Sequence, residues 1–199
     1  MMNKLFRRIT KHKYFEYLLL TVILILGVVV RLYKINNPLA DWHSWRQADT
    51  ASVTRSFVRK AIHLLSPTYQ DISSIQTGIF NPKGYRMVEF PIYNFIHAVL
   101  VNNFPQLSLE VWGRLLSIIS ATFSAIFLFL IGKRFMGSIG GLLTASFFIF
   151  LPFNVYFTRV ILPEPLATTL ALAAVWLFIE FIDWEKWPTL YLSGLFLAA

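Results

Sequence analysis

The segment Asp41-Trp42-His43-Ser44-Trp45-Arg46-Gln47-Ala48-Asp49-Thr50 packs two carboxylates, an imidazole and a guanidinium directly behind the first apolar run of the chain. A carboxylate takes a proton from an attacking hydroxyl, and a guanidinium fork holds an anion. Asp49 and Asp41 are the candidate bases, and the residues alone do not choose between them. Asp49 also fits the N-cap of a following helix, and Asp41 a solvated loop position. Trp42 and Trp45 suit interface anchors, with His43 and Arg46 as the polar edge of the segment.

Further carboxylates recur at the ends of apolar runs. Glu89 precedes Phe90-Pro91 and fits either a substrate contact or a helix-dipole partner. Glu110 and Arg114, spaced i, i+4, read as a structural ion pair. Glu164 sits between Pro163 and Pro165 at the head of an apolar run, where an unpaired carboxylate is costly, so it is a functional candidate. Pairing with Arg159 is its structural alternative. His12, His63 and His97 are scattered without ligand spacing, so no protein metal site is expected; a divalent cofactor is left open.

These groups need a scaffold, and the composition says which. Hydrophobic residues make up 56% of the 199 and charged residues only 14%, against about 25% charged in soluble domains. The chain is expected to be an all-α polytopic membrane protein. Its net charge of +8 owes much to Lys4, Arg7, Arg8, Lys11 and Lys13 ahead of the first apolar run, which fits membrane topology and not nucleic-acid binding. With no cysteine, disulfides and thiolate chemistry are excluded.

Spans are expected at about 14–33, 111–131, 139–157, 165–182 and 188–199, each near the length a bilayer requires except the last, which stops mid-run. That ending reads as the N-terminal portion of a longer protein. The first run lacks a small-x-small cleavage site and is expected to stay as an anchor, with Arg31 snorkelling outward. The run 90–101 is too short to cross and contains Asn94 and His97, so it is expected to lie at the interface. Lys133-Arg134 and Lys186 then share the cytoplasmic side with the basic N-terminus. A large loop, about 34–110, lies on the extracytoplasmic face of the cell (inner) membrane together with Glu164.

Within that loop, Val53, Phe57, Val58, Ala61, Ile62 and Leu65 recur at helical spacing, while Ser52, Arg55, Ser56, Arg59 and Lys60 take the other side. This predicts an amphipathic helix from Asp49 or Thr50 to just before Pro67. Residues 66–84 read as irregular loop. A polar site on the outer face is ordinarily supplied with lipid-linked rather than nucleotide-linked substrates.

The order of these features resembles the N-terminal part of GT-C membrane glycosyltransferases of the protein-mannosyltransferase and aminoarabinose-transferase type (glycosyltransferase family 39-like). The match is carried by Trp45-Arg46-Gln47-Ala48-Asp49-Thr50-Ala51, Glu89-Phe90-Pro91-Ile92, Glu110-Val111-Trp112-Gly113-Arg114-Leu115, Gly132-Lys133-Arg134-Phe135 and Arg159-Val160-Ile161-Leu162-Pro163-Glu164-Pro165. The resemblance implies GT-C-like transmembrane helices with a large first extracytoplasmic loop. It also implies a catalytic acid in that loop, Asp49 by register with Asp41 as rival, and a second, Glu164, in the next external loop. Where relatives often carry Asp-Glu this chain has Asp49-Thr50, and where they carry Lys-Pro it has Phe90-Pro91.

The implied reaction is an inverting transfer of a hexosyl or pentosyl group from a polyprenyl-phosphate donor to a hydroxyl of a glycan, lipid or protein acceptor. One carboxylate takes the acceptor proton, and Arg46, with Arg55 and Arg59 in reserve, neutralises the departing phosphate. His43, Glu89 and Arg159 complete the substrate-binding candidates. A transporter would place ionisable residues mid-span, whereas here they gather at span ends and in a loop of about 75 residues, long against the usual connection of about 4–6. An inactive scaffold subunit is the remaining alternative.

Overall fold

The computed structural model describes residues 14–39, 43–73 and 78–198. Asp41 and Trp42 lie outside these, as does the basic cluster up to Lys13. Among the described residues seven helices follow in order: α1 (Phe15–Arg31), α2 (Ser44–Arg59), α3 (Ile92–Asn103), α4 (Leu109–Phe150), α5 (Pro152–Phe157), α6 (Glu164–Trp184) and α7 (Trp187–Ala198). Among the described residues the fold is all-helical, with one isolated antiparallel bridge between Thr68 and Tyr85.

At 42 residues, α4 is a hairpin of two helical arms that turns at Gly137, whose backbone (φ 70, ψ −175) suits a residue without Cβ. The arms close on small residues. A Cβ on Gly132 would stand 3.0 Å from the Gly141 Cα, and one on Gly141 would stand 2.6 Å from the Phe129 carbonyl oxygen. The second arm breaks at Leu151 and resumes as α5, because Pro152 has no N–H to give to the carbonyl four residues back. The freed carbonyls find side-chain donors. Asn154 Nδ2 donates to Phe148 O (3.1 Å) and Arg31 Nη1 to Ile149 O (3.0 Å), as backbone in an apolar setting demands.

Among the described residues two helices, α4 and α6, are long and apolar enough to cross a membrane. Helices α1, α6 and α7 expose Leu18, Ile25, Val29, Phe178, Ile182 and Leu195 outward, an arrangement that suits hydrocarbon and not water. Polar contacts tie the bundle internally. Ser124 Oγ bonds Thr169 Oγ1 (2.9 Å), which also reaches the Ser120 carbonyl (2.7 Å), and Ser193 Oγ donates to Ala174 O (2.8 Å). Beside the Gly137 turn, Lys133 Nζ meets Glu16 Oε1 at 2.5 Å, and Arg134 forks onto Asp183 at 2.7 and 2.8 Å. The two basic residues read as topology markers also fasten α1 and α6 to the hairpin.

The 12 residues of α3 span about 18 Å at about 1.5 Å each, well short of the ~30 Å hydrocarbon core. α3 packs instead on α2 and the first arm of α4. His97, fully buried, donates from Nε2 to Leu109 O (2.7 Å), which leaves Nδ1 to accept from Thr54 Oγ1 (3.2 Å). Desolvation holds this imidazole down at about 4, against the weaker opposing pull of the Leu109 carbonyl and Glu110.

Several expectations change here. α2 begins at Ser44, with His43 in the left-handed region (φ 58) before it, and ends at Arg59. Asp49 therefore lies in the second turn and is no N-cap. Ala61, Ile62 and Leu65 fall beyond the helix, and Leu65 is 85% exposed. The buried face of α2 is largely polar because loop and α3 groups bond to it. Gln70 N donates to Ser52 Oγ (2.9 Å), Ser56 Oγ meets Thr68 Oγ1 (2.7 Å), and Asn94 Nδ2 donates to Thr50 O (2.7 Å). Ser52, read as solvent-facing, is buried. Arg31 does not snorkel: it is 1% exposed and turned into the bundle.

Candidate active site

The opening turn of α2, α5 with the arm before it, and the start of α6 enclose a cavity of about 450 Å³. Phe148, Phe153, Phe157, Leu162 and Pro165 give it an apolar wall. His43, Arg46, Asn154, Thr158, Glu164 and Thr168 supply its polar groups, and Trp45 stands at its edge. The helix start puts Arg46 there: with α2 beginning at Ser44, residues 43–46 form the end that meets α5 and α6. His43 stacks its ring 5.5 Å from Phe157.

Arg46 joins two carboxylates from distant parts of the chain. Its Nη2 donates to Glu89 Oε2 at 2.8 Å and lies 3.5 Å from Glu164 Oε1. Burial pulls the guanidinium down, but the hydrogen bonds and charges of Glu89 and Glu164 outweigh it and hold Arg46 above its ordinary range. Glu164 is the more open of the two carboxylates, with 59% of its side chain exposed against 31% for Glu89. It therefore retains an oxygen that can meet a ligand.

One turn further along α2, Asp49 is buried, and its Oδ2 lies 3.0 Å from Arg86 Nη1. Arg86 stacks over the Tyr69 ring (5.1 Å), and its backbone N–H donates to Pro67 O (2.9 Å). It also lines a second cavity of about 380 Å³, formed by the loop around Tyr69, Phe80, Asn81 and Tyr85. Helix α2 thus presents Arg46 to the first cavity and Asp49 to the Arg86 side.

The remaining candidates lie apart. Arg55 Nη2 is 3.5 Å from Glu110 Oε1, and Arg59 is exposed at the end of α2. Arg159 does not pair with Glu164: its Nη1 donates to Tyr33 O (2.8 Å), and its guanidinium lies over the Tyr33 and Tyr156 rings. Nor does Glu110 hold Arg114, which donates to Ile35 O (2.6 Å) and Asn37 O and so fastens the strand of chain leaving α1. In both cases a backbone carbonyl from the segment after α1 displaces the nearby carboxylate as partner. No group of three His, Asp or Glu among the described residues could hold a metal.

The sequence marks none of Arg86, Asn154 and Thr158 as a candidate, and it marks Arg31 only as a snorkelling residue. Arg86 stands alone in an irregular loop with no periodic signal. Asn154 in an apolar run, two residues after Pro152, was the available hint.

A family model described as dolichyl-phosphate-mannose-protein mannosyltransferase matches residues 91–199, more than half of the chain. The chain belongs to this family. Of the candidate mannosyltransferase-family site, Glu164, Arg159, Asn154 and Thr158 fall inside the matched region, and α2 with Arg46, Asp49 and Arg86 precedes it. No curated protein and no solved structure matches the chain. At family level the protein is a membrane glycosyltransferase of the GT-C type.

Proposed function

We propose that the chain takes part in transfer of a sugar from a polyprenyl-phosphate carrier to an acceptor hydroxyl, with inversion, on the extracytoplasmic face of the membrane. The observation that carries this reading is the apolar-walled cavity whose rim holds Arg46 between Glu89 and Glu164, in a chain of this family. A polyprenyl tail suits the Phe148, Phe153 and Phe157 wall. The sugar end suits the polar rim.

In the proposed step Asp49 takes the proton of the acceptor hydroxyl as its oxygen attacks the anomeric carbon, and the carrier leaves as its phosphate. Asp41 is the rival base. Arg86, 3.0 Å away, orients the Asp49 carboxylate until the acceptor displaces it. Glu164 orients the acceptor or the sugar hydroxyls at the rim, and Arg46, fixed by two carboxylates, positions both. Arg55 lies against Glu110, Arg159 donates to Tyr33 O and Arg59 is exposed at the end of α2, which favours structural roles for them.

The test is transfer of labelled sugar by membranes carrying the full-length protein, offered either a polyprenyl-phosphate donor or a nucleotide donor. Transfer from the lipid donor that falls in Arg46→Gln and Glu164→Gln is the expected result. Transfer from the nucleotide donor alone contradicts the reading.

A further inference from the structure

We infer that Arg31 supplies the fixed positive charge that holds the phosphate of a phosphorylated lipid in the cavity between α2, α5 and α6. This rests on the reading of that cavity as a carrier site and adds to it a residue of α1 that does not line the cavity.

The rim of the cavity is not itself electropositive. Arg46 faces two carboxylates, Glu89 and Glu164, so an anion entering there meets more negative than positive charge. A phosphate needs another cation, and Arg31 is placed to provide one. Its Nε donates to Thr158 Oγ1 at 2.7 Å, and Thr158 lines the cavity. Its Nη1 donates to Gly27 O and Ile149 O, both at 3.0 Å. Phe148, next to Ile149, and Asn154 are also cavity wall. The guanidinium therefore sits directly behind the wall, one hydroxyl away from the space.

The structural duties of Arg31 account for Nε and Nη1 but leave its charge and Nη2 unexplained. Nη2 is sealed from solvent and has no hydrogen-bond partner, and no carboxylate among the described residues pairs with Arg31. A buried cation without a counter-charge is costly, and in a membrane protein such a residue marks a ligand or ion path. Thr158 links it to the cavity. Its hydroxyl accepts the Nε proton and gives its own proton to Asn154 O; turned toward the cavity, that proton reaches a phosphate oxygen while the guanidinium bond is kept. The wall of Phe148, Phe153, Phe157, Leu162 and Pro165 selects a lipid headgroup over free phosphate.

The test uses the full-length protein in detergent, titrated with a photoreactive polyprenyl phosphate and with the matching neutral polyprenol. Arg31→Gln should weaken capture of the phosphate lipid at least tenfold and leave polyprenol capture within twofold, Arg31→Lys should restore most of it, and Thr158→Val should fall between. Equal loss of both lipids, or no loss of either, overturns the inference, as does displacement by inorganic phosphate at the lipid's own concentration. Should Arg31→Gln fail to fold, Thr158→Val decides: an undiminished preference for phosphate over alcohol overturns it. The binding readout is independent of catalysis. A wild type that prefers the phosphate lipid through Arg31 but transfers no sugar sinks the catalytic reading alone, whereas transfer with Arg31-independent binding sinks this one alone.

Discussion

Arg86 Nη1 lies 3.0 Å from Asp49 Oδ2, and both side chains are nearly closed to solvent, at 8% and 11% exposed. The pair joins the irregular loop after Pro67 to the second turn of α2, and it gives the candidate base a partner that an acceptor must replace. Removing one member leaves a buried charge uncompensated, which ordinarily costs about 3–5 kcal/mol. Arg86→Gln should therefore lower unfolding stability in detergent by about that much, and Arg86→Gln with Asp49→Asn should recover a substantial part. A double variant no more stable than Arg86→Gln would show that the pair is not coupled.

The two carboxylates on Arg46 differ in distance and exposure, so their coupling to it should differ. Double-mutant cycles with Arg46→Gln should give about 1 kcal/mol or more for Glu89, at 2.8 Å and partly buried, and less for the open Glu164 at 3.5 Å. The reverse order would mean that Glu164 is the principal anchor of Arg46.

How much of this was legible in the sequence depends on what held each residue. Helical runs and the shortness of 90–101 followed from apolar length alone, and the Gly137 turn falls between two expected spans. The register of α2 did not follow. Its buried face is polar, and Ser52, Ser56 and Thr54 are covered by loop and α3 groups that no 3.6-residue periodicity reports. The i, i+4 rule suggested Glu110 with Arg114, but Arg114 reaches backbone carbonyls 77 and 79 positions away. The sequence marks Arg46, Glu89 and Glu164 each as a candidate, and the fold brings these three together; Asp49's partner Arg86 stands in an irregular loop and carries no sequence signal.

His97 is neutral in the fold and held at about 4 by burial, below its unfolded value near 6.5. The unfolded chain therefore binds a proton that the folded one does not as pH falls through 6.5 toward 4. Stability should be flat above that window and decline within it. His97→Gln should flatten this limb in a pH series of detergent denaturation. An unchanged slope would assign the decline to other groups.

The topology reading places α2 outside and the Gly137 turn inside. The chain has no cysteine, so single replacements of exposed Lys60 and Met136 report cleanly. An impermeant maleimide applied to intact cells should label Lys60→Cys and spare Met136→Cys. Labelling of Met136→Cys alone would invert the fold in the membrane and put the cavity on the cytoplasmic side.

The central claim is that a carboxylate of the segment 41–50, Asp49 on α2 with Asp41 as rival, takes the acceptor proton during sugar transfer from a lipid carrier. Its most direct measurement is single-turnover transfer by the full-length protein with donor bound, comparing wild type with Asp49→Asn, Asp41→Asn and both together. A positioned base contributes about 10²–10⁴-fold, so Asp49→Asn should lose that much rate with donor binding retained, and Asp41→Asn should be mild. Near-wild-type transfer in both single variants and in the double would contradict the account.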